Sequence, residues 1–294
     1  MTEPGREQVE AAPTVPGVPE PPTAESATWR DLFGLGGTTD ERIHLISVAR
    51  VMRRNFLSWR RFYRASLVSS LGDPLLFLFG IGWGLGRYVG DIDGVPYARF
   101  VASGILASSV MNVATFETTF STFARMREQR TYEAIRATPV SLTEIMGGDI
   151  LWASCKCLLT ATVMTLVLFA AGMLRSPWAA ALPLAGFLVG IPFGAIGMCV
   201  TSRAQSWDYF TYYFTFGISL MFYFSGIFYP LAGLPRVLQL IAWALPLAHG
   251  VAITRALALG ILGPMLLVHA AVLALYFAVT FRLAVRWMHR RLIT

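Results

Sequence analysis

Few residues in this 294-residue chain are of types that do chemistry, and their spacing limits what they can do. Lys156 is the only lysine, and Cys157 follows it. A phosphate-binding loop needs a lysine followed by Ser or Thr after a glycine-rich turn, so the chain cannot carry one. The run Gly80, Gly82, Gly84, Gly86 has the wrong spacing for a dinucleotide-binding turn and lies in an apolar segment. Such glycines, like Gly186, Gly190 and Gly194, let helices approach closely in lipid. ATP-driven work would need a separate ATPase, and no cofactor is expected on this chain. Cys155 and Cys157 are two apart and point to different faces of a helix, so with Cys199 they make neither a disulfide framework nor a metal site. His44, His249, His269 and His289 fall in four segments, which argues against a histidine-based metal site or proton relay.

Charge in an apolar run is costly and often functional, and Glu117 and Lys156 lie in such runs. Consecutive antiparallel helices would bring them to similar depth. They would form an ion pair, line a translocation path, or snorkel separately to the interface. Eleven of the residues from Tyr209 to Tyr229 are Phe or Tyr. Aromatic faces stack on sugar rings, and Tyr212, Tyr213, Phe216 and Tyr223 are the candidates for lining a path. The competing reading is an interfacial aromatic belt with ordinary packing.

The elements that must position these residues are membrane helices. The chain is 55% hydrophobic and 14% charged, against about 25% charged in soluble domains. The net charge of +7 punctuates apolar blocks, so it orients a membrane protein and does not mark nucleic-acid binding. Residues 1–40, rich in Pro, Glu, Ala and Thr, read as a disordered cytosolic tail. Residues 41–294 read as one transmembrane domain. Over 43–64, Leu45, Val48, Met52, Phe56, Trp59 and Tyr63 form one stripe, with arginines filling much of the rest. That pattern predicts an amphipathic helix lying in the interface. Six spans of about 20 apolar residues are predicted at 67–86, 100–123, 145–173, 178–201, 209–229 and 264–286. The stretch 231–262, broken by Pro and Gly, predicts short helices re-entering the outer leaflet. With the N-terminus inside, inner segments hold eighteen of the 23 arginines, so both termini are expected in the cytoplasm.

The loop after the second span, MREQRTYEAIRATPVSLTE (Met126–Glu144), begins as a charged helix. Thr138-Pro139 breaks it, because a residue before proline avoids the helical region. Ser141 and Glu144 then form a capping-box pattern opening the third span. The residues alone leave two readings open: a rigid helix that transmits motion from a soluble partner, or a solvated connection.

The basic helix, six spans, rigid inner loop and broken segment before the last span resemble the permease subunits of type-2 ABC exporters. More narrowly, TYEAIRATPVSLTEIMGGDILWASCK (Thr131–Lys156) and YFSGIFYPLAGLPRVLQLIAWALPLAHGVAITRALALG (Tyr223–Gly260) resemble the nodulation lipo-oligosaccharide export permeases. The resemblance covers about residues 45–290. It implies an all-α integral membrane fold in a bacterial plasma membrane. It implies a second permease subunit, identical or not, and a cytosolic ABC ATPase that binds the ATP. The loop would then be the coupling helix, with Arg125, Glu128, Arg130, Tyr132, Glu133, Ile135 and Arg136 facing the ATPase. The chain itself would not be an enzyme. It would export a lipid-linked saccharide, a lipo-oligosaccharide or a hydrophobic drug. Two alternatives fit the sequence less well. A lipid or glycosyl transferase should cluster acids or histidines at one face, and Asp91 and Asp93 are the only close acidic pair in an outer loop. An ion-driven secondary transporter should show internal repeats and more deep carboxylates than Glu117.

Overall fold

The computed structural model describes residues 44–129, 131–132, 140–174 and 176–293. The predicted tail, 1–40, lies outside them.

The chain is almost wholly helical. Helix α1 is Leu45–Trp59. Helix α2 starts as Tyr63–Phe77, runs through π-helical Leu78–Leu85 and ends as Gly86–Val89. A two-stranded antiparallel hairpin, β1 Asp91–Ile92 and β2 Val95–Pro96, leads into α3, Tyr97–Arg127. Helices α4 (Leu142–Ala170) and α5 (Pro177–Arg203) follow. Helix α6 runs from Asp208–Tyr212 through π-helical Tyr213–Ile218 to Ser219–Phe224. Helices α7 (Arg236–Ala244) and α8 (Pro246–Leu259) precede α9, Met265–Ile293.

Four of these, α3, α4, α5 and α9, are long and apolar enough to cross a membrane. The pair α7–α8 is bent by 87° and could supply a fifth crossing or a re-entrant loop. The set is smaller than the six spans predicted. Helices do cover the predicted first and fifth spans, as α2 and α6. Helix α6 is short, because Ser225 leaves the helical conformation and Gly226 takes a positive φ of 74°.

Helix α3 is buried nearly all round and α9 is mostly exposed. Helix α5 packs against α3, α4, α8 and α9. Lipid supplies no hydrophobic drive between helices, so association rests on close contact. A Cβ at Gly186 would lie 2.4 Å from Ala161 Cβ, one at Gly190 2.8 Å from Cys157 Sγ, and one at Gly197 2.2 Å from Thr118 Oγ1. The glycine face of α5 therefore seats α4 and α3. In the run from Gly80 to Gly86 the approach is looser: a Cβ at Gly82 or Gly86 would make ordinary contact with Ala98 at 3.6 and 3.8 Å, and one at Gly80 or Gly84 would meet nothing within 4 Å.

Helix α1 departs from its prediction. It ends at Trp59, because Phe62 adopts φ −125°, ψ 15°, so Tyr63 belongs to α2. Its bundle-facing residues are Ser47, Val48, Val51 and Asn55. Leu45 and Phe56, assigned to the apolar stripe, are exposed on the protein surface, which a helix lying in the interface allows. Val51 packs so closely on Gly148 that a Cβ there would stand 2.7 Å from Val51 Cβ.

At one end of the bundle Arg127 donates to the Gln205 carbonyl, Arg291 donates to the Thr201 carbonyl at 2.8 Å, and Arg203 lies over Trp287. We call this the arginine-rich end. At the other, α8 docks on α3: Thr254 donates to the Ser103 carbonyl at 2.9 Å. Arg255, in the stretch expected to re-enter the outer leaflet, is held between α3 and the turn after α6. It donates to the Gly226 carbonyl at 2.9 Å and lies 3.7 Å from the Phe100 ring centroid.

The glycine ladder yields a test. Gly186→Leu should lower stability by roughly 1–3 kcal/mol or more through overpacking. Gly80→Ala should change it by less than about 0.5 kcal/mol. Thermal midpoints of the purified variants in detergent measure both, and equal midpoints would remove the close-approach role of α5.

Candidate functional site

A buried ionic network joins α1, α3, the loop after α3, and α4 at the arginine-rich end. Its hub is Asp149, which lies in α4 facing α1 and is fully buried. Asn55 donates to Asp149 Oδ1 at 2.6 Å, and the Tyr132 hydroxyl donates to Oδ2 at 2.8 Å. Arg54 and Arg125 each approach the carboxylate to 3.5 Å. A buried carboxylate requires such partners, since removing it from water without them is prohibitive.

Arg125 also bridges to Glu117, one α3 segment away. Its Nη1 stands 3.0 Å from Glu117 Oε1, and its Nη2 donates to Thr122 Oγ1 at 3.0 Å. Glu117 sits in a π-helical stretch, Glu117–Ser121, and takes Lys156 Nζ on its other oxygen at 2.9 Å. The structure thus brings Glu117 and Lys156 together. It adds Arg125 as a third member.

The opening of α4 is tied to the same region. Ser141 and Glu144 cap it reciprocally, as their spacing predicts, and Glu144 also accepts from the His44 backbone N–H at 2.6 Å. The starts of α1 and α4 are therefore joined. Burial lowers the Arg54 guanidinium from its ordinary pKa; Asp149 opposes the shift and Arg125 adds to it. Burial, with Asp149 beside it, holds the Tyr132 phenol well above its usual value.

Of the residues assigned to the ATPase contact, Arg125 and Tyr132 turn inward. Tyr132 is fully buried and cannot fill a partner's pocket from this position. Its role is to fasten the loop to Asp149. Glu128 is exposed. Arg130, Glu133, Ile135 and Arg136 lie outside the described residues.

Two cavities flank the network. One, of about 720 Å³, lies between α2, α3 and α6. Lys156 and Tyr223 line it, with Ser108, Ser109 and Asn112 on one wall and Phe77, Phe116 and Phe222 among the apolar residues. The other, of about 810 Å³, lies between α1, α3 and α4, and Arg54, Arg61, Glu117, Arg125 and Lys156 line it. Phe62 and Lys156 belong to both. On α6, Tyr212, Phe216 and Tyr223 are exposed along one side, while Tyr213 is partly buried and packs on Phe214.

Sequence reasoning missed two features. Glu117 is not the only deep carboxylate: Asp149 is deeper buried, and its acidic type inside an apolar run was the available signal. His249 and His269, in different segments, meet with Nδ1 atoms 2.9 Å apart, because the bend between α7 and α8 turns α8 along α9. Trp243 stacks on His269. Among the described residues no group of three or more His, Cys, Asp or Glu could hold a metal ion.

A family model described as ABC-2 type transporter matches residues 47–259. Nodulation protein J of Rhizobium meliloti (strain 1021) is 41% identical over 247 residues, covering 82% of this chain and 92% of that protein. Nodulation protein J of Sinorhizobium fredii (strain NBRC 101917 / NGR234) is 39% identical, covering 83% and 93%. The inner membrane transport permease YadH of Escherichia coli (strain K12) is 24% identical over 70% of this chain and 80% of its own. No solved structure matches.

The network makes two predictions. Asp149→Ala leaves buried guanidinium groups uncompensated and should cost roughly 3–5 kcal/mol, seen as a lower thermal midpoint or loss of folded yield. A wild-type midpoint would show that the hub is not structural. For Glu117 and Lys156, each single change to Ala should destabilise, and the charge-swapped double variant should regain part of the loss. A double variant equal to the sum of the two single defects would show that they are energetically independent.

Proposed function

This chain belongs to the ABC-2 type transporter family, and we propose that it is the permease subunit of an ATP-driven exporter. It is a membrane transport protein of that family. The ATPase is a separate subunit, because the only lysine, Lys156, lies within α4 and Cys157 follows it, which leaves no phosphate-binding loop on this chain. Both termini lie in the cytoplasm, so the arginine-rich end is the cytosolic one. The name of the Escherichia coli relative supports an inner-membrane location. Helices α2 and α6 add to the four long helices to give six crossings, with α7–α8 re-entrant and α1 in the interface. Two permease subunits pair so that the exposed aromatic side of α6, with Tyr212, Phe216 and Tyr223, lines a path.

The observation that carries this reading is the tether from Tyr132 to Asp149. The ATPase pushes on the loop from Arg125 to Ala137, and its exposed charges, Glu128 among them, make the contact. Tyr132 passes the movement to α4, and Arg125 passes it to α3, so one push moves α1, α3 and α4 together. The cavity beside α6 receives the cargo. Its polar wall of Ser108, Ser109 and Asn112 opposite aromatic rings suits an amphiphile, and the named resemblance favours a lipid-linked saccharide or lipo-oligosaccharide.

Single cysteines at positions 128–136, placed in a background without the three native cysteines, should crosslink to the ATPase. Tyr132→Phe removes a hydrogen bond to a carboxylate worth about 1.5–3 kcal/mol. It should leave insertion intact while uncoupling ATP hydrolysis from transport. Should the ATPase crosslink only to the 203–208 turn or to the C-terminal 286–291 segment, the loop is not the coupling element.

A further inference from the structure

The 810 Å³ cavity at the arginine-rich end carries more positive charge than its own carboxylates balance. Arg54 enters from α1, Arg61 from the turn after it, Arg125 from α3 and Lys156 from α4, and Glu117 is the one carboxylate among the described lining residues. Asp149, buried behind this wall, adds a second negative charge. Among the described residues four cations thus face two anions: Arg125 and Lys156 lie deep, Arg54 is part-buried and Arg61 is exposed. A basic lining of this kind suits an anionic partner.

The hydrogen bonds show the same imbalance. Arg54 Nη1, Arg125 Nε and Trp59 Nε1 are buried without an acceptor. All three groups are donors, on residues that line the cavity through their other atoms. A phosphate ester supplies several acceptor oxygens and negative charge together, and guanidinium groups match it in geometry as well as charge. Trp59, Trp152 and Phe62 give the same cavity an aromatic side. Through Phe62 and Lys156 it adjoins the 720 Å³ cavity, where Ile105, Val113, Phe116 and Ile218 offer walls for hydrocarbon beside a polar side of Asp73, Ser108, Ser109 and Asn112.

We propose that this cavity binds the phosphate group of an amphiphile, with the hydrocarbon part directed past Phe62 and Lys156 into the neighbouring cavity. The inference rests on the reading of the chain as a membrane permease, and it names the class of ligand that enters from the cytosolic side. The same phosphate chemistry has two sources, a resident phospholipid of the inner leaflet or the transported amphiphile.

The full chain, purified in dodecyl maltoside without an ATPase, is titrated with dioleoyl phosphatidate, with dioleoylglycerol and with inorganic phosphate, and bound ligand is read by native mass spectrometry. Phosphatidate should bind about tenfold more tightly than dioleoylglycerol, a gap of about one strong charge-assisted contact. Inorganic phosphate should bind far more weakly than phosphatidate. Arg61→Gln, at an exposed position, and Arg54→Gln should each weaken phosphatidate several-fold while leaving dioleoylglycerol unchanged. Equal binding of the two lipids, phosphate alone binding as tightly as phosphatidate, or wild-type phosphatidate binding by both variants would each overturn the site. Adding the ATPase and ATP then separates the sources: ATP-dependent loss of bound phosphatidate marks cargo and its retention marks a resident lipid, and both support the site. The titration needs no transport, so its failure leaves the exporter reading standing, and a failure to transport leaves the binding result intact.

Discussion

The rest of the structure depends on one requirement: Asp149, a carboxylate fully out of water, must be surrounded by donors. No single helix can provide them. Asn55 and Arg54 come from α1, Arg125 from the end of α3, and Tyr132 from the loop beyond it. Satisfying this one side chain therefore fixes three separate parts of the chain on α4. Helix α1 shows how much rests on it. Its apolar contacts with α4 are Val48 and Val51 over Gly148 and the rings of Phe56 and Trp59 against Trp152, while Leu45 and Ile46 face outward. The polar contacts set its rotation and its register.

Away from the hub, the bundle is held by closeness. The glycines of α5 bring its backbone against α4 and α3, where van der Waals contact replaces a hydrophobic drive that lipid cannot supply. At the far end Thr254 and Arg255 pin α8 to α3 through carbonyl oxygens and a ring face. Helix α3 is thus fastened at both ends and buried between them. Helices α2 and α6 are not held in this way, and the 720 Å³ cavity opens between them and α3. A firm core beside a loosely packed side is an arrangement in which one side moves against the other.

Much of this was legible in the sequence because membrane helices announce themselves by apolar length. The four long helices, the break at 231–262 and the Ser141–Glu144 cap all follow from local residue types. The meeting of Glu117 with Lys156 was one of three readings that the residues left open, and the packing of α3 on α4 selects it. What failed depends on distant partners. The stripe through Leu45 and Phe56 obeys helical periodicity, but no local pattern showed that α1 also turns Ser47 and Asn55 inward, since Asp149 lies 94 residues away from Asn55. Tyr132 looked like a surface aromatic until a buried carboxylate claimed its hydroxyl. His249 and His269 looked remote because nothing local fixes the 87° bend that brings α8 beside α9. Patterns within one helix carry no record of which face a neighbour will take.

The network also answers why the loop is joined to the bundle by polar groups. Apolar packing is non-directional, so a loop resting on it can slide without much loss. Hydrogen bonds to ionised groups fix distance and angle and are stronger than neutral ones. The contacts run without a gap: Tyr132 to Asp149, Asp149 to Arg125, Arg125 to Glu117, Glu117 to Lys156. Lys156 lines both cavities, so this chain of contacts begins at the loop and ends at their shared wall. Arg125 is the one member that touches both carboxylates. A contiguous path of this kind supplies a physical route between the loop and the cavities.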